Sequence, residues 1–295
     1  MLSDFIFIGG IYLKILIIIF LFKYILLLGD SRVLSLTLSG DEILLGLGLK
    51  NRMVGVSGKI VDDERYSNIV NETKGYKRAE SNLENILFMR PDLVIAGEWM
   101  GKERIDHLEN AGLNVFKYKT PRSFNSLIEL INMFGAKLNA SEKSEKLISE
   151  FQNRIKEVEE KAKNIKVTKS AVLYSKSGRV YGSNTIFNDI SKIANFRNLA
   201  SENGIEGSTI ISKEKLVELN PEIIIVSSYS LEEKDPFIEE LLNDKSLQSI
   251  LAIKNKNVFP VKGKYMMTSS HHMIKALEDI LDIVYPNLEE GGKIE

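Results

Sequence analysis

Midway along the chain, residues 139–163 form a charge-dense segment in which Leu147, Phe151, Ile155, Val158 and Ala162 recur at steps of four, four, three and four. That period is helical. Asn139, with Glu142 three residues on, predicts an N-cap and capping box, because the Asn oxygen and the Glu carboxylate can satisfy free N–H groups of the first turn. At 1.5 Å per residue such a helix is about 35 Å long. By itself a helix of that length with one apolar stripe is one more amphipathic helix or a short coiled coil; what surrounds it decides. At 295 residues the chain exceeds the usual reach of a single core, so two domains or one bilobal unit is expected.

Composition narrows the function classes. The chain is 44% hydrophobic and 27% charged, which is ordinary globular material. A formal net charge of -1 with no long basic run argues against nucleic acid as a partner. Zero cysteines exclude disulfides, thiolate zinc sites, iron–sulfur clusters and Cys nucleophiles. The N-terminus differs in kind. Residues 11–28 carry only Lys14 and Lys23 as charges, and 15–22 are an unbroken apolar run. Residues 1–31 therefore read as a secretory signal or an uncleaved membrane anchor, and the chain as exported. No A-x-A site precedes Asp30, and no cysteine is available for a lipoprotein anchor.

Beyond that segment, strand-like and helix-like patterns alternate. Strands are predicted at 32–38, 51–56, 93–96, 114–118, 170–174, 223–227 and 257–261. Helices are predicted from Ser39-Gly40-Asp41-Glu42 to Gly48 and at 81–89, 102–110, 124–137, 185–193, 212–219, 236–246, 248–251 and 269–284. Such alternation implies parallel sheets. A weak internal repeat accompanies it. Glu84 in SNLENILFMRPDLVIA and Glu214 in ISKEKLVELNPEIIIV each lie seven residues before a proline followed by an acidic residue and buried-type aliphatics, 130 residues apart. The repeat predicts two similar α/β lobes, one on each side of the central helix.

Several segments then carry a resemblance: KGYKRAESNLENILFMRPDLVIA, Tyr118 leading to the long helix, GSNTIFNDISKIANFRNLA, ISKEKLVELNPEIIIV and SSHHMIKALEDILDIVYP. In that order they resemble the substrate-binding proteins that serve ABC importers of ferric siderophores, haem and cobalamin. The resemblance covers residues 32–286. It implies two Rossmann-like α/β lobes joined by a single long α-helix, with the ligand cleft between the lobes: 32–121 the N-terminal lobe, 122–164 the helical connection and 165–295 the C-terminal lobe. It also implies that Glu84 and Glu214 dock onto arginines of the transmembrane permease. Two departures stand out: Ala194-Asn195 replaces the paired glycines of many relatives, and the lipoprotein cysteine is missing.

The expected function is that of a non-enzymatic, monomeric receptor, periplasmic or anchored on the outer face of the membrane, that binds haem or a ferric siderophore and delivers it to an ABC permease. A cobalamin-binding protein of the same class is the alternative, as is a membrane-anchored haem-binding or sensor module. Six residues are ligand-binding candidates. Tyr76 occupies the place where haem-binding relatives carry an axial tyrosine, and Arg78 could favour its phenolate. Trp99, the only tryptophan, directly follows the LVIAGE strand, and Tyr265 follows another. Open α/β sheets bind ligands at such strand ends. His271 and His272 begin the last helix; a neutral imidazole could meet the metal of a chelate, although adjacent helical residues point about 100° apart. Any metal contact at Tyr76, His271 or His272 would come only through a bound chelate. Met100, Tyr181, Tyr229, Met266 and Met267 are further candidates for flat apolar walls. No G-x-S-x-G, Walker loop or H-E-x-x-H is present.

Overall fold

The computed structural model describes residues 31–79, 82–232, 235–286 and 288. The expected signal or anchor lies outside them, and among the described residues no helix is long and apolar enough to cross a membrane. In the first half, β1 (Val33–Ser35), β2 (Met53–Ser57), β3 (Arg78–Ala79), β4 (Leu93–Gly97) and β5 (Val115–Tyr118) form a sheet in the order β3-β2-β1-β4-β5, parallel throughout. Parallel strands covered on both faces must be apolar along their whole length. Accordingly all five residues of β4 are buried. The intervening helices are α1 (Leu38–Gly46), α2 (Leu83–Phe88) and α3 (Lys102–Asn110). This order reverses direction between β1 and β4, which opens a crevice at their carboxyl ends.

The chain then crosses once to the other sheet through α4 (Phe124–Lys137) and α5 (Ser141–Ala162). At 22 residues α5 is about 33 Å long. The central helix is present, but its predicted cap is not. Asn139 takes a left-handed φ of 51° and its N–H closes α4 on Ala136 O, while Ala140 occupies the cap position with no side-chain hydrogen bond. The tight turn between the two helices needs a left-handed residue, which Asn tolerates. Leu147, Phe151, Val158 and Ala162 are buried as the stripe required, with Ile155 packed at its margin. One apolar cluster runs from the first sheet through α4 and α5 into the second sheet, so the helix is a strut and not a coiled-coil arm.

The second half contains β6 (Ser170–Tyr174), β7 (Arg179–Tyr181), α6 (Ile186–Ile193), β8 (Arg197–Asn198), α7 (Leu199–Glu202), β9 (Ser208–Ile210), α8 (Lys213–Leu219), β10 (Ile223–Ser228), α9 (Pro236–Asn243), α10 (Leu251–Lys254), β11 (Val258–Lys262), α11 (Gly263–Met266) and α12 (Ile274–Val284). Its sheet runs β11-β10-β6-β7-β9, with β8 beside β6. β11, β10, β6 and β8 are parallel, and β7 and β9 extend the sheet antiparallel. The 130-residue echo is structural. Asn82 caps α2 and Ser212 caps α8; Arg90 before Pro91 and Asn220 before Pro221 both take left-handed φ values, 48° and 44°; β4 and β10 follow at the same spacing. The predicted last helix begins later than expected, since His271–Met273 is a 3-10 turn. At the departure from the relatives' glycine pair, Asn195 supplies a left-handed φ of 51° itself.

Candidate ligand cleft

Segments leaving the carboxyl ends of both sheets face one another and enclose three adjoining cavities. The first, about 430 Å³, lies among the residues after β1, β2 and β4 and those after β10 and β11; Thr37, Trp99, Arg104, Tyr229 and Met267 are among its walls. The second, about 500 Å³, lies between Arg122, Tyr181, Phe187 and Met266. The third, about 840 Å³, runs along Trp99, Lys117, Tyr118, Arg122 and Met133. Trp99 borders the first and third, Met267 the first and second, and Arg122 the second and third, so the three form one interlobe cleft.

Trp99 is 53% exposed yet well placed. Its ring stands edge-on to the buried Tyr118, centroids 5.1 Å apart at 85°, and Tyr118 is itself held by Phe134 and by a 2.8 Å hydrogen bond to the Thr37 hydroxyl. Thr37 in turn caps α1 by accepting from Gly40 N. An exposed indole on such a braced floor offers a rigid flat wall. The charges around it include two guanidiniums, Arg104 from α3 and Arg122 ahead of α4, together with Lys117, Lys119 and Lys264 and the carboxylates Glu98 and Glu129. Neither guanidinium has an ion-pair partner among the described residues, whereas Arg65, Arg154 and Arg197 are each paired with a carboxylate.

Beneath the first cavity sit two consecutive buried carboxylates of α1. Asp41 accepts from Ser57 N at 2.7 Å and Ser57 Oγ at 2.6 Å, and its other oxygen has no partner; burial raises its carboxyl well above the usual range. Glu42 joins the lobes. It accepts from Asn68 N and Nδ2 at 3.3 and 2.9 Å on the N-terminal side, and from Thr268 Oγ1 and Ser270 Oγ at 2.5 and 2.6 Å on the C-terminal side. Burial raises its carboxyl too, and these four donors oppose the rise. Ser269 N adds a further bond to Ser39 Oγ at 3.0 Å.

The predicted residues divide. Trp99, Tyr181, Tyr229, Met266 and Met267 line the cleft. Tyr76 does not border the three cavities: its hydroxyl donates to Lys50 O at 2.9 Å, and burial raises its pKa, against the phenolate expected of an axial ligand. Arg78 pairs with Asp62 and donates to the carbonyls of Thr73 and Tyr76, bracing the β2–β3 excursion. Tyr265 lies among Lys262, Lys264 and Lys275, whose ammonium groups are 5.5, 5.7 and 5.1 Å from its ring centre. His271 and His272 stack on each other 4.2 Å apart behind the cleft, His271 against Gly46 of α1. Burial pushes them down to about 4 and about 3, so they are neutral at ordinary pH, and the nearby cations Lys275 and Arg154 act in the same direction. Glu84 and Glu214 are both exposed in the first turns of α2 and α8.

Sequence reasoning missed Arg104, Arg122, the Glu42 node and Tyr66, whose ring borders the first cavity and stacks on Tyr229 with centroids 4.7 Å apart. Arg104 and Arg122 fall in stretches that read as a surface helix and a turn. Asp41-Glu42 read as an ordinary helix start; Glu42 is bonded to the other lobe through Thr268 and Ser270, and Asp41 to Ser57 of β2.

Residues 33–265 match the family model described as periplasmic binding protein. The chain belongs to that family. It is one of transport binding proteins rather than enzymes. A Bacillus subtilis protein described as an uncharacterized ABC transporter substrate-binding lipoprotein is 25% identical over 87% of this chain and 81% of its own length. A cobalamin-binding protein of Halobacterium salinarum is 21% identical over 84% of this chain and 67% of its own. Among solved structures, the periplasmic heme-binding protein of Roseiflexus sp. RS-1 superposes with a TM-score of 0.74 at 22% identity, covering 88% of this chain and all of its own, a likeness of fold.

Proposed function

We propose that this chain is the extracytoplasmic substrate-binding protein of an ABC importer and that its cargo is a compact, anionic metal chelate, a ferric siderophore or haem. The observation that carries this reading is the pairing of one rigid exposed indole with two guanidiniums that lack ion-pair partners in the cleft. Flat conjugated ligands need an aromatic wall, and their carboxylates or catecholate oxygens need donors that stay charged at every physiological pH. Trp99 supplies the wall, Arg104 and Arg122 the charge, and Met266 and Met267 adaptable apolar contact from the opposite lobe. Glu84 and Glu214, one on each lobe at repeat-related positions, are the docking points for arginines of the permease.

Cobalamin is the second reading, supported by the likeness to the Halobacterium protein. Titration of the purified chain with haemin, a ferric tris-catecholate siderophore and cyanocobalamin, followed through the emission of Trp99, tests the proposal. Tight binding of an anionic iron chelate, weakened about tenfold by Arg104→Ala or by Arg122→Ala, is expected from the loss of one charge-assisted hydrogen bond. Unchanged affinity in both variants would contradict it.

A further inference from the structure

Gly97 closes β4, and its backbone gives no reason for glycine: φ is -82° and ψ is 138°, which any residue adopts. What requires it is a ring. The Trp99 side chain folds back over the strand end, and a Cβ on Gly97 would come within 2.3 Å of the indole Cη2 and Cζ3 and within 2.5 Å of Cε3. Non-bonded carbons do not approach so closely, so a side chain at position 97 and the indole in its present place exclude each other. Glycine weakens a strand, and its presence in one marks a place where another group comes close.

Gly97 is in register with Tyr118 of β5, the ring that stands edge-on to Trp99, so the two paired positions form a corner in which the indole sits. The Tyr118 side of that corner is closed: this ring is buried, packs on Phe134 and is hydrogen-bonded to Thr37. The open direction for the indole is toward the first and third chambers, both of which it borders. Tyr229, 130 residues on and following β10 as Trp99 follows β4, is held differently. A Cβ on Gly263 would come within 2.3 Å of its Cε1, and Tyr66 stacks on it. Trp99 has no stacked ring of this kind among the described residues and is half exposed, so its place depends on the room that Gly97 leaves.

We propose that Gly97 is a positioning residue for cargo binding, acting through Trp99. By carrying no Cβ it keeps the indole in the corner and out of the two chambers, where its exposed part meets a chelate held by Arg104 and Arg122. The idea rests on the chelate-binding reading above. A methyl group at position 97 would press on an exposed ring and not on backbone. The ring gives way toward the chambers, while β4, buried along its whole length, stays in place. A binding wall has to be held to within about 0.5 Å of its productive position, so a displaced indole loses affinity in a protein that remains folded.

The test uses full-length protein in detergent: wild type, Gly97→Ala, Trp99→Ala and the double variant, with thermal unfolding of each to check the fold. Trp99 is the only tryptophan, so emission and its quenching by acrylamide report on that ring alone, before any cargo is added. Binding of haemin and of a ferric tris-catecholate is measured by equilibrium dialysis, which needs no tryptophan. Gly97→Ala should change the emission and quenching of the ligand-free protein and weaken the chelate that wild type binds by about tenfold. In the Trp99→Ala background the same substitution should alter affinity by less than about twofold, because the ring through which it acts is gone. A tenfold loss that persists in that background, an emission change with affinity intact, or no change in either overturns the positioning role and leaves the chelate-binding reading standing. Should Gly97→Ala not fold, the double variant decides: a restored unfolding transition supports the clash with the indole, and a double variant that is equally unfolded overturns it. Binding of neither chelate by wild type overturns the chelate-binding reading and the cargo role of Gly97 with it.

Discussion

Glu42 is the residue whose removal should most disturb the relation between the lobes. Its carboxylate is fully buried and accepts four hydrogen bonds, two from each lobe. Truncation to alanine strands those donors. A buried donor left unpaired costs about 1–3 kcal/mol. Two compensations limit the sum: Thr268 and Ser270 are already 3.0 Å apart and can bond to each other, and Asn68 Nδ2 keeps Lys264 O. Relief of the burial penalty on the carboxylate offsets part of the remainder. Glu42→Ala should therefore cost roughly 2–4 kcal/mol in urea unfolding at neutral pH. Glu42→Gln fills the same space without a charge and should cost about 1 kcal/mol or less. The pH dependence separates charge from shape. The folded-state pKa of Glu42 is raised, so between its unfolded value near ~4.3 and the folded value the native state holds a proton that the unfolded chain has lost. Its contribution to stability is present below that window and is lost as pH rises through it. Glu42→Gln should flatten the fall by up to one proton's worth, about 1.4 kcal/mol per pH unit, while Asp41 continues to contribute in the same direction. An alanine variant within about 0.5 kcal/mol of wild type would refute the claim that this node ties the lobes together.

The histidine pair should act with the opposite sign. Burial lowers His271 to about 4 and His272 to about 3, so their contribution is present above the unfolded value near ~6.5 and is lost as pH falls through the folded values. Replacing both by leucine should remove about 2 kcal/mol or more of the stability lost between pH ~6.5 and ~4, measured by unfolding across that range; a wild-type-like acid slope would show that they titrate freely. Charge reversal of Glu84 together with Glu214 should abolish uptake in cells while leaving chelate affinity in solution unchanged, and undiminished uptake would remove them from the permease interface.

Much of this fold was legible in local patterns. Phe124–Lys137, Lys102–Asn110 and Ser170–Tyr174 have the bounds that their periodicity predicts, because each is set by a nearby signal: the Ser123 cap, the Ala111-Gly112 stop and a continuous apolar run. The echo of Glu84 at Glu214 revealed two matched units because caps, left-handed residues and prolines recur at a fixed offset. The antiparallel β7 and β9 escaped notice: each has only three residues, too few to establish a period, and β9 is exposed throughout. The cleft was only partly readable. Trp99 could be placed because it follows a strand. Which way Tyr76 and His271 turn depends on partners far away in sequence, Lys50 for Tyr76 and Gly46 for His271, and composition does not encode such pairings. Tyr66 lies in a stretch of the β2–β3 excursion without periodicity, yet its stacking partner is in the other lobe.

The most direct test of the central claim is the position of the metal. Crystals grown with a bound ferric chelate and measured at the iron absorption edge should show one anomalous peak in the interlobe cleft, within reach of Trp99 and between Arg104 and Arg122. A peak beside Tyr76 or the His271–His272 pair, or a chelate bound outside the cleft, would contradict the account.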